Sequence, residues 1–495
     1  MMRLATRFLL VAALIAPAVS HQRVLADGAA AKSDDKPYVA PEEALSRIER
    51  GDYAGAEEIL RKQLDDPTAP ATTDPAIQLQ IIERTRADFR LSEADILQQL
   101  RESIPDVTQA DVDKWRTAGV LQGRRIDGEQ RYFRNAAANL FRLSEEARKR
   151  RPVTPEPAKR FALDELIVKL NKLAADSLKP EIYPVKHHVN YTLTIKEENP
   201  RLKPGAKVRV WLPYPQEYRD QQRDVKLLAS SPAGVQIADE KAPQRTIYFE
   251  QIVSDDGKVG PFKAEYEFTT SAYVPKLDPT LVKPYDVDGE IYQKFTAERM
   301  PHIVLAPYVK ALAQEIVGDE TNPLEKSRLI FRWVSKNIPW VSEMEYSTIP
   351  SLSQKGLAAR CGDCGVQNTT FVTLCRAVGV PARWQSGFGT KPTEEGMHDW
   401  AEIYIEPWGW LPADASYGVR QSDDPAVRDF FCGHMDPYRL IVNLDYGREL
   451  QPPKTSFRSE PIDFQRGEVE VDGHNLYYND WDWDFDVTST PPETP

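Results

Sequence analysis

Apolar positions between residues 181 and 284 fall on every second residue. Val189, Tyr191, Leu193 and Ile195 alternate with polar neighbours, as do Val208, Val210 and Leu212, and Phe262, Ala264, Tyr266 and Phe268. Period two marks strands with one buried face. The Pro-, Gly- and Asp-rich turns between them predict an antiparallel β-sandwich. On either side the period lengthens to that of a helix. Residues 41–64 read as two short helices around Gly51-Asp52, and helical spacing resumes from Asp74 to Arg151. The interruption GRRIDGEQRYF carries Asp127-Gly128, a hairpin turn signal. A Pro-rich stretch at 152–160 marks a boundary, and 161–178 reads as a connecting helix.

Helices return from about Tyr285. Asn322 caps and Pro323 opens a helix whose Ile330, Phe331 and Val334 share one face, with Ile338 beyond. Residues 339–360 read as a loop, followed by a helix from Cys364 to about Val378 and then by strands. After Pro461 a hairpin, GEVEVDGHNL, leads to NDWDWDFD, an acidic aromatic tail that is either solvated or laid along a groove.

The predicted organisation is therefore a helical module over 27–180, the sandwich over 181–284, a mixed core over 285–460 and a C-terminal hairpin and tail over 461–495. The 41–64 pair resembles one tetratricopeptide-type hairpin, which alone lacks the stacked neighbours such repeats need. Helices followed by the Asp127-Gly128 hairpin also suit a winged helix. In an acidic chain a packing module is the preferred reading. Residues 1–26 read as a cleaved secretory signal: Arg3 and Arg7, an apolar run from Phe8 to Ala16, then small residues. The run is too short to span a bilayer comfortably, so the expectation is an exported, periplasmic or secreted, protein without an integral membrane span.

Composition narrows the partners. With 495 residues and a net charge of -12, the chain is long enough for several cores and disfavours nucleic acid. Four cysteines are too few for a disulfide-built scaffold. Three of them, Cys361, Cys364 and Cys375, fall within RCGDCGVQNTTFVTLCRAVGVPAR. There Asp363 is a good N-cap, Cys364 opens the helix, and Gly379 suits its C′ position. A cysteine at a helix N-terminus meets the positive end of the macrodipole and unpaired N–H groups, which favour the nucleophilic thiolate and can face an oxyanion. His398 stands near the start of a strand in HDWAEIYIEPWGW, and Asp414 lies on the next strand in GWLPADASYG. Two antiparallel strands would set imidazole and carboxylate side by side, the arrangement an activated cysteine needs.

Four boxes carry a family resemblance: Gly362-Asp363-Cys364, the run Arg376 to Arg383 (RAVGVPAR), the run His398 to Tyr404 (HDWAEIY) and the run Gly409 to Asp414 (GWLPAD). In this order and spacing they resemble the transglutaminase-like superfamily, a papain-type group, over roughly 285–445. The resemblance implies an α+β fold with a helix-borne cysteine against an antiparallel sheet. It further implies a catalytic triad of Cys364 as nucleophile, His398 as general base and acid, and Asp414 as orienter. The implied chemistry is acyl transfer on protein or peptide amides through a thioester, with hydrolysis ahead of transamidation. No box fixes the second oxyanion donor, though Trp340 and Tyr346 precede the nucleophile.

Other readings stand beside this one. Cys361-x-x-Cys364 could be a redox pair, or half a metal site completed by Cys432 and His434. No cofactor and no metal is expected. Cys375 reads as core, His187 and His188 as surface residues, and Glu402 as either paired with Arg383 or solvated. A catalytically silent exported scaffold, binding protein or cell-wall partners of the envelope, is the rival to the enzyme.

Overall fold

The computed structural model describes residues 42–65, 74–152 and 161–493. The secretory signal and nearly all of the Pro-rich boundary lie outside the described residues. The rest is a mixed helix and antiparallel-sheet protein with three hydrophobic clusters.

The first cluster is N-terminal and mainly helical. Helices Glu42–Glu49 and Tyr53–Leu64 turn at Gly51, and Asp52 caps the second. The hairpin Gly123–Ile126 and Glu129–Tyr132 turns on Asp127 and Gly128, both at positive φ as a two-residue turn of this type requires. Tyr53, Ile96, Leu100, Trp115, Tyr132 and Leu140 meet in the interior.

The second cluster fills the β-sandwich. One sheet runs Trp481–Thr490, Glu181–Ile195, Phe262–Tyr273, Gln222–Ser231; the other begins His474–Leu476, Glu468–Val471, Lys207–Pro213, Thr246–Ile252. The alternating residues read from the sequence (189, 191, 193, 195 and their counterparts) form its buried face. Strands from 468–490, which the sequence places in a separate segment, lie in both sheets. The acidic tail is an edge strand paired with Glu181–Ile195 from Trp481↔Ile195 to Thr490↔Lys186. Its Trp481 is buried and its aspartates point outward, which blunts the edge with charge. Period two also puts His187 on the inward face with Val185 and Val189. Contrary to the surface expectation it is fully buried, bonded to Ser489 Oγ at 2.8 Å and Thr270 Oγ1 at 2.6 Å.

The third cluster is the core that carries the cysteine. Helix Cys364–Ala377 is enclosed by Pro307–Val317, Pro323–Asn337 and Leu352–Ala359, and packs on a four-stranded sheet. That sheet runs Gly409–Ala413, Gly396–Ile405, Ala382–Gly389, Arg439–Asn443. Leu352–Ala359 falls inside the expected loop; Leu352 and Leu357 bury there, while the intervening Ser, Gln, Lys and Gly dilute the pattern. Phe388, Leu440 and Val442 leave the sheet's other face to join the sandwich cluster. No described helix is long and apolar enough to cross a membrane.

Candidate active site

The helix that presents the cysteine begins where its sequence says it should. Asp363 caps it, its carboxylate accepting from the Val366 N–H at 3.2 Å, and Cys364 is the first helical residue. At the far end Val378 is the C-cap and Gly379 adopts φ +79°, ending the helix in the left-handed region. Gly365 is required for a different reason: a side chain there would collide with the Tyr346 hydroxyl. That hydroxyl reaches over the helix start, 2.8 Å from Asp363 and 3.1 Å from Asp399, with a single hydrogen to share between the two carboxyls.

His398 is the third residue of its strand, and Asp414 directly follows the neighbouring strand, in register through Ala401↔Ala413. The two meet: His398 Nε2 lies 2.7 Å from Asp414 Oδ2. Asp414 is fully buried and also takes Arg439 Nη1 at 2.8 Å and Ser416 Oγ at 2.7 Å. Burial opposes its ionisation, but His398 and Arg439 outweigh burial and hold the carboxyl well below the usual range. Burial likewise lowers the imidazole's basicity against the pull of Asp414. The Tyr417 ring stacks on the imidazole with centroids 4.9 Å apart, and Arg439 sits over Tyr417.

Cys364 faces a different neighbour. Its thiol donates to Asp399 Oδ2 at 3.4 Å, and no Cys364–His398 hydrogen bond exists among the described residues. Histidine and aspartate are consecutive on the strand, so their side chains leave on opposite faces. Burial first, then the Asp399 and Asp363 carboxylates, push the thiol well above its ordinary value. The helix N-terminus favours the thiolate, as the sequence suggests, but these opposing effects prevail. Both directions favour the free thiol and the neutral imidazole.

Asp399 is itself perturbed. Burial and the neighbouring Asp363 raise it to about 8. Asp399→Asn is expected to increase Cys364 alkylation about tenfold near pH 9, because the ionised neighbour that disfavours the thiolate is gone. The same substitution is expected to stabilise the fold increasingly between pH 4 and 8. Over that window the unfolded chain has lost this proton and the folded chain still holds it, so stability falls with rising pH in the wild type. Rate profiles and thermal melts across pH would expose either failure.

Cys364 opens onto a cleft of about 230 Å³ whose walls include Trp340, Tyr346, Met397, Asp399 and the segment 459–466. The N-terminal module helps build it. Asn139 exchanges two 2.9 Å hydrogen bonds with Ser342, Asp88 accepts from the Glu345 N–H, and Arg134 lines the cleft. Both candidate oxyanion contributors, Trp340 and Tyr346, stand in this wall.

The remaining sequence candidates fall elsewhere. All four cysteines are unpaired. Cys375 is in the core, and Cys361 is buried just before the cap. Cys432 and His434 line a separate pocket with Arg328 and Arg332, not the Cys364 cleft. Glu402 is buried and paired, with Arg383 at 2.7 Å and the Tyr218 hydroxyl at 2.5 Å. Sequence reading assigned no role to Arg439, Tyr417, Asp463 or Asp399. Only the position of Asp399 within HDWAEIY offered a signal.

Residues 310–415 match the family model of the Transglutaminase-like superfamily, and this segment is a transglutaminase-like domain. An uncharacterized protein of Haemophilus influenzae is 32% identical over 208 residues, a match covering 34% of this chain and 53% of that protein. The uncharacterized YebA of Bacillus subtilis is 26% identical over 190 residues, covering 34% of this chain and 26% of its own length. The matches thus span about half of one relative and a quarter of the other. Among solved structures, a candidate cysteine protease from Cytophaga hutchinsonii aligns with TM-score 0.42 and 15% identity, covering 63% of this chain and 92% of that one. The periplasmic domain of TgpA from Pseudomonas aeruginosa aligns with TM-score 0.25 and 14% identity, covering 51% and 91%.

Proposed function

We propose that this chain is an exported cysteine-dependent acyl-transfer enzyme acting on protein or peptide amides, with Cys364, His398 and Asp414 as its triad. The observation that carries the reading is the buried His398–Asp414 pair, 2.7 Å apart, on the sheet against which the Cys364 helix packs. Nε2 donates to the carboxylate, which leaves Nδ1 as the basic nitrogen. Turnover under this reading requires the thiol to leave Asp399 and turn to the His398 side of the strand, where Nδ1 takes its proton. Sulfur attacks the amide carbon, the C–N bond breaks, and the imidazolium returns the proton to the departing amine. Water then attacks the thioester, His398 again taking and returning a proton, and the carboxylic acid departs. An amine in place of water would give transamidation; hydrolysis is the expected outcome. Support for export comes from Arg3, Arg7 and the apolar run from Phe8 to Ala16.

Hydroxylamine trapping tests the reading. Wild-type protein incubated with a mixed peptide digest and hydroxylamine is expected to yield peptide hydroxamates, and Cys364→Ala none. Absence of hydroxamates and of new amines from the wild type would return the silent scaffold as the better account.

A further inference from the structure

One carboxyl in the Cys364 cleft has no partner. The cleft is lined by six carboxyl side chains and two guanidiniums, and five of the six carboxyls are accounted for. Glu343 pairs with Lys355, and Glu345 with Arg466 at 2.6 Å. Glu460 takes the Arg466 Nε at 2.8 Å. Asp363 caps the helix, and Asp399 accepts from Gln465, Tyr346 and the thiol. Asp463 is 8% exposed, yet its carboxyl makes no hydrogen bond or ion pair among the described residues. It points into the cleft: the groups that act on it electrostatically, Glu460, Asp399, Arg466 and Glu345, all line the same space.

A buried carboxyl without a donor is costly unless something else supplies one. Every cation lining the cleft is already engaged: Arg466 with Glu345 and Glu460, and Arg134 with Asp88 and Glu345. No cation of the lining is free to serve Asp463, and a cleft with six carboxyls and two guanidiniums favours a cationic group arriving from outside. A volume of about 230 Å³ admits a short aminoalkyl chain.

We propose that Asp463, with Asp399 behind it, forms a subsite for an alkylammonium group carried by the substrate beside the Cys364 sulfur. The inference rests on the preceding reading and gives it a substrate class, amides whose acyl donor carries a primary ammonium on a lysine-type side chain. An amine acceptor shares that chemistry and is the source the test must separate from it. The occupied subsite also has a chemical consequence. An ammonium there offsets the carboxylates that hold the thiol protonated, so substrate arrival itself promotes thiolate formation. Burial and the adjacent Glu460 and Asp399 push Asp463 up, so binding is expected to release protons.

Charge-matched thiol reagents give a test that needs no turnover. Aminoethyl and sulfonatoethyl methanethiosulfonate differ in charge and share one reaction. Relative to a free thiol, the cationic reagent is expected to modify Cys364 at least about tenfold faster than the anionic one, with Asp463→Asn removing most of that preference. A preference equal to that of a free thiol, or one untouched by Asp463→Asn, overturns the subsite. Calorimetry on Cys364→Ser protein covers a thiol too shielded to react. Acetyl-lysine amide should bind with proton release and acetyl-norleucine amide should not, and equal binding of the two again overturns it. Hydroxamate trapping on lysine- and norleucine-containing peptides, and competition by free cadaverine, separate donor from acceptor. Charge preference without hydroxamates would refute the proposed chemistry and leave the subsite standing; hydroxamates without charge preference would do the reverse.

Discussion

His398→Ala is expected to lower turnover by about 10²–10⁴-fold, the usual contribution of a positioned general base. The reason is specific to this geometry. Nε2 is committed to Asp414, so Nδ1 is the only ring nitrogen left to take a proton. The ring is held between the Tyr417 stack and the Asp414 carboxylate. The thiol, however, rests on Asp399 and not on His398. A rival base is therefore built into the site, and the substitution decides between them. If turnover in His398→Ala stays within about threefold of wild type, Asp399 is the proton acceptor and the triad assignment is wrong. If turnover collapses and Asp399→Asn keeps most of its activity, His398 is the base. Thermal melts guard against a trivial outcome, because the ring is only 8% exposed and its loss leaves a void.

Which parts of this were legible in the sequence follows from the range of each interaction. Helix limits around Cys364 are set by neighbours within four residues, the Asp363 cap and the Gly379 exit, and these could be read directly. The inward faces of the sandwich strands follow from period two, a local signal as well. The same rule, applied strictly, would have placed His187 inside; its polarity obscured the pattern. Long-range pairing was out of reach. Nothing local tells Trp481 that it will lie opposite Ile195, nearly three hundred positions earlier in the chain. The electrostatics of the cleft suffered likewise. The macrodipole argument for a thiolate uses only the helix, whereas the carboxylates that oppose it are Asp363 of the cap, Asp399 of the strand Gly396–Ile405 and Asp414 after the strand beside it. A carboxylate beside the thiol was visible in HDWAEIY only as the residue between a candidate base and a tryptophan.

Arg439 makes the contrast sharpest, since its local sequence, FFCGHMDPYR, gives no sign of which carboxylates it will meet. It is 1% exposed and bridges two buried carboxylates, Asp414 at 2.8 Å and Asp436 at 3.0 Å. Its guanidinium lies over the Tyr417 ring at 4.2 Å. Arg439→Met keeps much of the volume and removes the charge, leaving Asp414 and Asp436 without their shared cation. Breaking a buried pair in this way is expected to cost about 3–5 kcal/mol at neutral pH. Arg420→Met is the natural comparison. Arg420 meets Asp164 at 2.6 Å, but that carboxylate is 52% exposed, so the loss should stay within about 1 kcal/mol. The pH dependence separates the charge effect from lost packing. Asp414 has its folded value depressed, so its stabilising contribution is present above the unfolded value of about 3.9 and fades as pH falls through the folded one. The Arg439→Met deficit should therefore be largest near pH 7 and shrink below about pH 4 as the stranded Asp414 takes up a proton. A deficit that is flat across pH would assign the arginine to packing alone. One as small as that of Arg420→Met would mean that Asp414, and with it the orientation of His398, does not depend on the buried cation.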